Sequence, residues 1–342
     1  MPSPPRPAGT FPRSALLVLL AAICLIVGAT LVLFRSHGSL SGASPSLAVV
    51  ESQARAHPQS LADQLAYADA LLKSGDHDAA RRVYAYAAHL APNDYRPYEG
   101  LGLVAWQERR PEYALVNFSE AVHLNPNDAV AWQALGGLYL AAHKKALARK
   151  AYAQVTRLNP KDARAWRLLG VLDTEVQLYA KGHEELEHAV TLTPNDPEAQ
   201  IDLADADLTA GNLPEAHAAY QKALALKPDD PGALAGDGET LLQLDPSPSG
   251  LSQAERQVKQ ALSLQPSAYG HRVLGRIYFQ RRDYKQAVME LKQALALDPN
   301  QYQTYNYLSQ TYAAMGQGDL ARQAGAQFQK AYAHANSKKP GM

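Results

Sequence analysis

Residues 132–160 read WQALGGLYLAAHKKALARKAYAQVTRLNP, and the fold follows from this stretch. Trp132, Leu135 and Tyr139 stand at i, i+3 and i+7, one face of a helix. Gly136 lies within the same run, although glycine is a poor helix former. Close approach of a neighbouring helix is the reason to place it there. A second helical stretch follows with Ala148, Tyr152 and Val155, and Pro160 ends it. The unit is therefore two helices and a stop.

Working outward, the same unit recurs along most of the chain. Pro58, Pro92, Pro126, Pro160, Pro194 and Pro228 are each 34 residues apart, Pro266 follows after 38 and Pro299 after 33. The longer interval holds Asp245-Pro246-Ser247-Pro248-Ser249-Gly250, a turn-rich insertion where two helices of one repeat should join. The next repeats read Trp166-x2-Leu169-Gly170, then Leu186, Ala189 and Pro194, and later Leu274-Gly275-x2-Tyr278, then Tyr284, Ala287, Leu291, Ala294 and Pro299. Ala80, Ala114, Ala148, Ala216, Ala254 and Ala287 are the small residues of the second helices. Tyr84, Phe118, Tyr152, Tyr220 and Leu291 stand four residues after five of them. No single helix pair can bury its apolar face alone, whereas stacked neighbours make one continuous core. The expected fold class is all-α.

These strings resemble the tetratricopeptide-repeat (TPR) family, whose pattern is W-x2-L-G-x2-Y, A-x3-F and P. The resemblance covers residues 61–335 as eight repeats, 61–94, 95–128, 129–162, 163–196, 197–230, 231–267, 268–301 and 302–335. It implies an α-solenoid, a right-handed superhelix of about eight TPR helix pairs with a concave inner surface, and a non-catalytic scaffold for protein or peptide partners. In the family the first helix of each repeat lines the groove. Carried over by position, this gives Arg96, Trp106, Arg164 and Arg167 near the start, and Glu198, Asp205 and Glu239 in the middle. At the end it gives Tyr269, Arg272, Arg276, Phe279, Gln303, Asn306 and Gln310. Two arginines one turn apart, flanked by Tyr269 and Phe279, combine carboxylate-binding forks with aromatic platforms. Tyr269, Arg272, Arg276, Phe279, Asn306 and Gln310 are accordingly the partner-binding candidates, suited to an acidic or C-terminal peptide segment. The Lys/Asn clamp of TPR co-chaperones is not matched, nor is the Asn ladder of the glycosyltransferase-linked superhelix.

Some positions depart from the pattern. Asp173 stands where Tyr139 and Tyr278 stand, Gly182 replaces a second-helix alanine, and Asp207 and Asp237 occupy ordinarily apolar positions. Repeats four to six are therefore expected to pack more loosely and to flex.

Ahead of the array, Ala15 to Phe34 (ALLVLLAAICLIVGATLVLF) carries no charge. Twenty helical residues span about 30 Å, the thickness of a bilayer's hydrocarbon core. All faces are apolar, unlike those of a buried core helix, and the run exceeds the apolar core of a signal peptide. The expected organisation is a short cytoplasmic tail at 1–14 and a transmembrane helix at 15–34. A linker with a short amphipathic helix follows at 35–60, then the solenoid, then a basic tail at 336–342. Chain beyond Lys330 is expected to fray. Arg6 and Arg13 precede the span, so the positive-inside rule puts the N-terminus in the cytoplasm and the repeats outside it, in the periplasm of a bacterium.

Composition narrows the remaining choices. Lys plus Arg and Asp plus Glu both number 33, so no global field attracts nucleic acid. Cys24 is the sole cysteine and lies in the apolar span, which leaves no disulfide framework and no cysteine-based zinc site. There is no H-E-x-x-H, P-loop, G-x-S-x-G or dinucleotide fingerprint. His183 and His188 are five apart and fall on different helix faces, a poor arrangement for shared metal ligation. Neither catalysis nor a cofactor is expected. The reading is a membrane-anchored interaction scaffold of a bacterial envelope, serving envelope assembly, secretion or cytochrome maturation. Its alternatives are an organelle-surface receptor with cytosolic repeats and a non-catalytic subunit of a membrane enzyme complex.

Overall fold

Pro92, Pro126, Pro160, Pro194 and Pro228 are each followed two residues later by an aspartate, and this pair sets the phase of the fold there. The backbone N–H groups of Asp94, Asp128, Asp162, Asp196 and Asp230 each donate to the carbonyl three residues back, at 3.0 to 3.2 Å, closing a turn around the proline. The carboxylates of Asp128, Asp162, Asp196 and Asp230 then accept backbone N–H groups from the first turn of the next helix. Such caps satisfy amides that the helix itself leaves unpaired.

The computed structural model describes residues 45–337. The expected cytoplasmic tail, the expected transmembrane span and the first part of the expected linker, like residues 338–342 of the basic tail, lie outside the described residues. Among the described residues are seventeen helices and no strand. In chain order they are α1 (Leu47–Ala56), α2 (Leu61–Ser74), α3 (His77–Leu90), α4 (Arg96–Gln107), α5 (Pro111–Leu124), α6 (Ala129–Ala141), α7 (Lys145–Leu158), α8 (Ala163–Glu175) and α9 (Tyr179–Leu192). There follow α10 (Pro197–Ala210), α11 (Leu213–Leu226), α12 (Pro231–Leu244), α13 (Pro248–Leu264), α14 (Ala268–Gln280), α15 (Tyr284–Leu297), α16 (Tyr302–Ala314) and α17 (Gly318–Ser337). None of them is long and apolar enough to cross a membrane. The last helix continues to Ser337, past Lys330, where the sequence pattern led us to expect fraying.

The chain divides between Val176 and Gln177 into two compact units. Within each, consecutive helices pack on one another. The first helices of adjacent repeats also touch, α2 with α4 in the N-terminal unit, and α10 with α12, α12 with α14 and α14 with α16 in the C-terminal unit. This is a helical solenoid of the kind the periodicity implies.

The joints between the two helices of a repeat are built alike. Gly75, Arg109, His143, Gln177, Gly211, Arg282 and Gly316 all adopt the left-handed conformation. After most of them the next backbone N–H reaches back to a carbonyl five residues earlier, as from Asp76 to Leu71 at 3.0 Å and from Lys144 to Tyr139 at 2.8 Å. The sixth repeat differs. There α12 runs to Leu244, and Asp245 is not in the left-handed region. The inserted residues take over, with Ser247 accepting from the N–H of Gly250 to cap α13.

The core follows from the spacing. Leu135, Phe118, Tyr84, Tyr220, Leu186 and Leu291 are all fully buried, each worth about 1.5–3 kcal/mol on transfer from water. A Cβ on Gly136 would sit 2.8 Å from the ring of Tyr152, so the helices approach too closely there for any side chain. Trp132 and Trp166 donate their indole N–H groups to the carbonyls of Pro126 and Pro160, both at 2.9 Å. The large residue of one helix thereby ties down the turn that starts it.

The expectation of loose packing in repeats four to six is corrected at the aspartates that prompted it. Asp173, Asp207 and Asp237 are all buried, and each meets a side chain from a neighbouring second helix. Arg149 pairs with Asp173. His183 Nδ1 lies 2.7 Å from Asp207. Asp237 receives His217 Nδ1 at 2.6 Å and the amides of Gln221 and Gln257, both at 2.7 Å. A buried carboxylate with such partners is a tie between helices, where an unpaired one would weaken the stack.

Candidate functional site

In the C-terminal unit, α12, α14 and α16 are the first helices of three successive repeats and touch in sequence. Position 239 on α12 faces α14, and there the chain places a glutamate rather than an apolar residue. Glu239 is only 4% exposed. It accepts from Arg272 Nη2 at 3.4 Å and from Arg276 Nη1, both on α14. Burial by itself would raise the Glu239 carboxyl. The charges of Arg272 and Arg276, with hydrogen bonds from Tyr269 and Arg276, outweigh it and hold the pKa below the ordinary carboxylate value.

Aromatic rings cover the two guanidiniums. Arg272 lies 5.1 Å from the ring centroid of Tyr269, and Arg276 lies 4.9 Å from that of Tyr307 on α16. Both distances suit cation–π attraction. Arg272 is 2% exposed, and its Nε finds no hydrogen-bond partner. Arg276 is more open, with 14% of its side chain exposed. Asn306 and Gln310 are exposed one turn apart on α16.

All six sequence candidates thus lie on two neighbouring first helices, α14 and α16, but the ring of one is diverted. Phe279 packs against Tyr284 across the joint of its own repeat, with ring centroids 5.8 Å apart. The two arginines do not present free forks side by side, because both are turned onto Glu239. Sequence reasoning named Glu239 as a groove residue without pairing it to them, and it missed Tyr307 altogether. Pairing residues 33 and 37 apart requires knowing that first helices of adjacent repeats touch. Earlier along the chain, Arg96 is occupied too, its Nε and Nη2 both bonded to Asp94 at 2.9 and 2.6 Å.

One helix further back, on α10, Asp205 accepts the phenol of Tyr220. The tyrosine ring lies so close to Gly236 of α12 that a Cβ there could not be accommodated. Burial pushes the Asp205 carboxyl up to about 7, Asp202, Glu239 and Asp230 add to the rise, and the Tyr220 hydrogen bond opposes it. In the N-terminal unit the same device recurs, with Tyr84 donating to Asp69 and its ring against Gly100. Beside it Glu99 is pushed up to about 8, chiefly by burial and then by the charges of Asp128 and Asp69. Among the described residues no group of acids, histidines and cysteines has the arrangement to hold a metal ion, and His183 is engaged with Asp207.

Models of the tetratricopeptide repeat match residues 65–129, 105–172 and 177–245, and a model described as TPR repeat matches 275–316. Among curated proteins none matches the chain. Solved structures share the fold at low identity. The Cut9 and Hcn1 hetero-tetramer of the APC/C aligns with a TM-score of 0.57 at 19% identity, over 82% of this chain and 54% of that one. A tetratricopeptide repeat protein from Parabacteroides merdae gives 0.52 at 17%, over 74% of this chain and 99% of that one. The C-terminal part of a TPR protein from Cytophaga hutchinsonii gives 0.52 at 16%, over 71% and 99%. The repeat models together span well over half of the sequence, and the chain belongs to the tetratricopeptide-repeat family.

Proposed function

We propose that this protein is a non-catalytic scaffold, anchored in a membrane by residues 15–34, that captures a peptide segment of a protein partner on the inner face of its C-terminal unit. The observation that carries the reading is that Arg272 meets the ring of Tyr269 and Arg276 that of Tyr307 on touching first helices, the second of which also exposes Asn306 and Gln310. Aromatic platforms and guanidiniums beside adaptable amides form a surface that repays a peptide's ordering with directed hydrogen bonds. The uncharged run from Ala15 to Phe34 supports the anchor, and the arginines ahead of it support repeats on the far side of the membrane from the cytoplasm. In a bacterium that compartment is the periplasm, and the role is in envelope assembly, secretion or cytochrome maturation.

Reporter fusions after Met342 test the placement, and activity of a cytoplasm-only reporter there would refute it. Purification of the full chain from solubilised membranes, with and without Arg276→Glu, tests the scaffold. A protein that co-purifies with the wild type and is lost from the variant, with helical content unchanged, is the expected result.

A further inference from the structure

The arginine–glutamate arrangement in the C-terminal unit is unbalanced, and the imbalance says which group a ligand must bring. Two guanidiniums, Arg272 and Arg276, face one carboxylate, Glu239. The next acid along, Asp205, is already engaged by the phenol of Tyr220, and burial raises its carboxyl, so it is a poor second counter-charge. One positive charge is left over in a half-buried setting, where an uncompensated charge is costly.

The donors point the same way. A guanidinium offers two bidentate edges to a carboxylate. Arg276 spends Nη1 on Glu239, and among the described residues its other edge, formed by Nε and Nη2, carries no hydrogen bond. Arg96 shows what this chain does with such an edge when a carboxylate is at hand, since Asp94 fills it with both oxygens. The two guanidiniums share Glu239, Arg276 through the closer contact, and the surplus charge can be met only at Arg276, because Arg272 lies deeper. Tyr307 covers one face of the Arg276 guanidinium, which fixes the plane in which the open edge lies.

Resting on the peptide-binding reading above, we propose that this site takes a single, singly charged carboxylate on the Nε–Nη2 edge of Arg276, and that Glu239 is the residue that excludes doubly charged groups such as phosphate. Glu239 is thus a specificity determinant that touches no ligand. It cancels one of the two arginines, so a monoanion closes the balance and a dianion brings a second negative charge that nothing offsets. An α-carboxylate at a chain end and the side chain of an internal Asp or Glu supply the same chemistry.

The test uses the full-length chain in detergent against arrays of peptides of random sequence. One array has a free C-terminus and no acidic residue, and a second is amidated with one glutamate. A third is amidated and neutral, and a fourth is amidated with one phosphoserine. Wild-type capture should favour the first or second array over the third by about tenfold, as expected of a charge-assisted bidentate pair, and the stronger of the two identifies the source. The fourth should be no better than the third. In Glu239→Gln the preference should move to phosphoserine by a similar factor. Arg276→Lys keeps the charge, loses the planar edge, and should lose the carboxylate preference with its fold intact. Equal wild-type capture of all four arrays would overturn this proposal while leaving peptide binding standing. So would a Glu239→Gln protein that remains folded and keeps the wild-type ratio of carboxylate to phosphoserine. Capture of none of the arrays would overturn both.

Discussion

Tyr84 and Tyr220 lie 136 residues apart, four periods of the repeat, and they do the same thing in two different surroundings. Each threads its phenol from a second helix to an aspartate on a first helix, Asp69 in the N-terminal unit and Asp205 in the C-terminal unit. Each lays its ring against a glycine of the next repeat, Gly100 or Gly236. What lies beside the two devices is opposite in sign. In the N-terminal unit a half-buried glutamate, Glu99, has only carboxylates as charged neighbours that shift it, and it is pushed up to about 8. In the C-terminal unit Glu239, more deeply buried among first helices, has two arginines and is held low. Burial raises both; the counter-charge decides the outcome. First helices of the one solenoid can therefore carry a protonated acid or an ionised one, according to the charges that surround it.

The largest effect that would break this contrast comes from removing its cause. Arg272→Met leaves Glu239 buried with one guanidinium that also faces the groove, and it should destabilise the C-terminal unit by about 3–5 kcal/mol, the usual cost of breaking a buried pair from one side. Denaturant unfolding of the full chain, followed by circular dichroism, reads this as an earlier transition. Replacing Glu239, Arg272 and Arg276 together by apolar residues of similar volume should recover most of the loss. If Arg272→Met alone costs under about 1 kcal/mol, the arginine is not what holds Glu239 ionised, because a shift of one pKa unit is already worth about that much.

The second effect tests the other side. Glu99 has its folded pKa raised to about 8, well above the unfolded value of about 4.3. Between those limits the folded chain binds the extra proton, so the N-terminal unit loses stability as pH rises through the interval and is favoured as pH falls. For Glu239 the sign is reversed: its lowered pKa contributes stability above the unfolded value that is lost as acid protonates it. Glu99→Gln should therefore stabilise the N-terminal unit by about 1–2 kcal/mol at pH 8. It should have little effect at pH 4, where the wild-type group is neutral in the folded chain and mostly so in the unfolded one. Thermal unfolding at the two pH values checks it. A variant no more stable than the wild type at pH 8 would mean that Glu99 is not carrying an electrostatic cost.

Smaller still is the loss of either phenol. Tyr84→Phe and Tyr220→Phe keep the ring against its glycine and delete one hydrogen bond to a buried carboxylate, a loss of about 1–2 kcal/mol each. Nearly equal losses would show the two devices to be interchangeable. A difference larger than about 1 kcal/mol would show that the neighbouring acids and arginines reach the tyrosine–aspartate bond as well.

The fold was legible because its signals are local and repeat in phase. Each 34-residue proline interval contains two helix patterns, and the small residues at Gly136 and Ala148 stand where close packing demands them. What was not legible depends on contacts between one repeat and the next. Asp173, Asp207 and Asp237 look like flaws when a repeat is read alone, and they become ties once Arg149, His183 and His217 from preceding second helices are seen beside them. The surroundings of the candidate site were hidden in the same way. Spacing within α14 brought Arg272 and Arg276 together on one helix, but their partner Glu239 and their cover Tyr307 come from the helices on either side. A period shows which residues share a face; it does not show which charge from the adjoining repeat will meet them.

The joints supply the finest version of the comparison, since the repeats that carry the tyrosine–aspartate pairs also carry glycine where the chain turns left-handed. Gly75 and Gly211 belong to those two repeats, and Gly316 to the last, while Arg109, His143, Gln177 and Arg282 hold the same conformation with a Cβ. A left-handed residue other than glycine costs roughly 1 kcal/mol because its Cβ crowds the following carbonyl. Arg109→Gly, His143→Gly and Arg282→Gly should each stabilise the chain by about 0.5–1 kcal/mol, less whatever entropy the freer unfolded glycine regains. The converse, Gly75→Ala or Gly211→Ala, meets open space, with nothing within 4 Å of the added Cβ, so its cost should be that of the backbone alone. Thermal shifts of a few degrees in opposite directions for the two sets are the expected result. If Gly211→Ala costs far more than His143→Gly gains, the joint of the fifth repeat is strained by something other than its backbone angle, and the two tyrosine–aspartate repeats are the place to look for it.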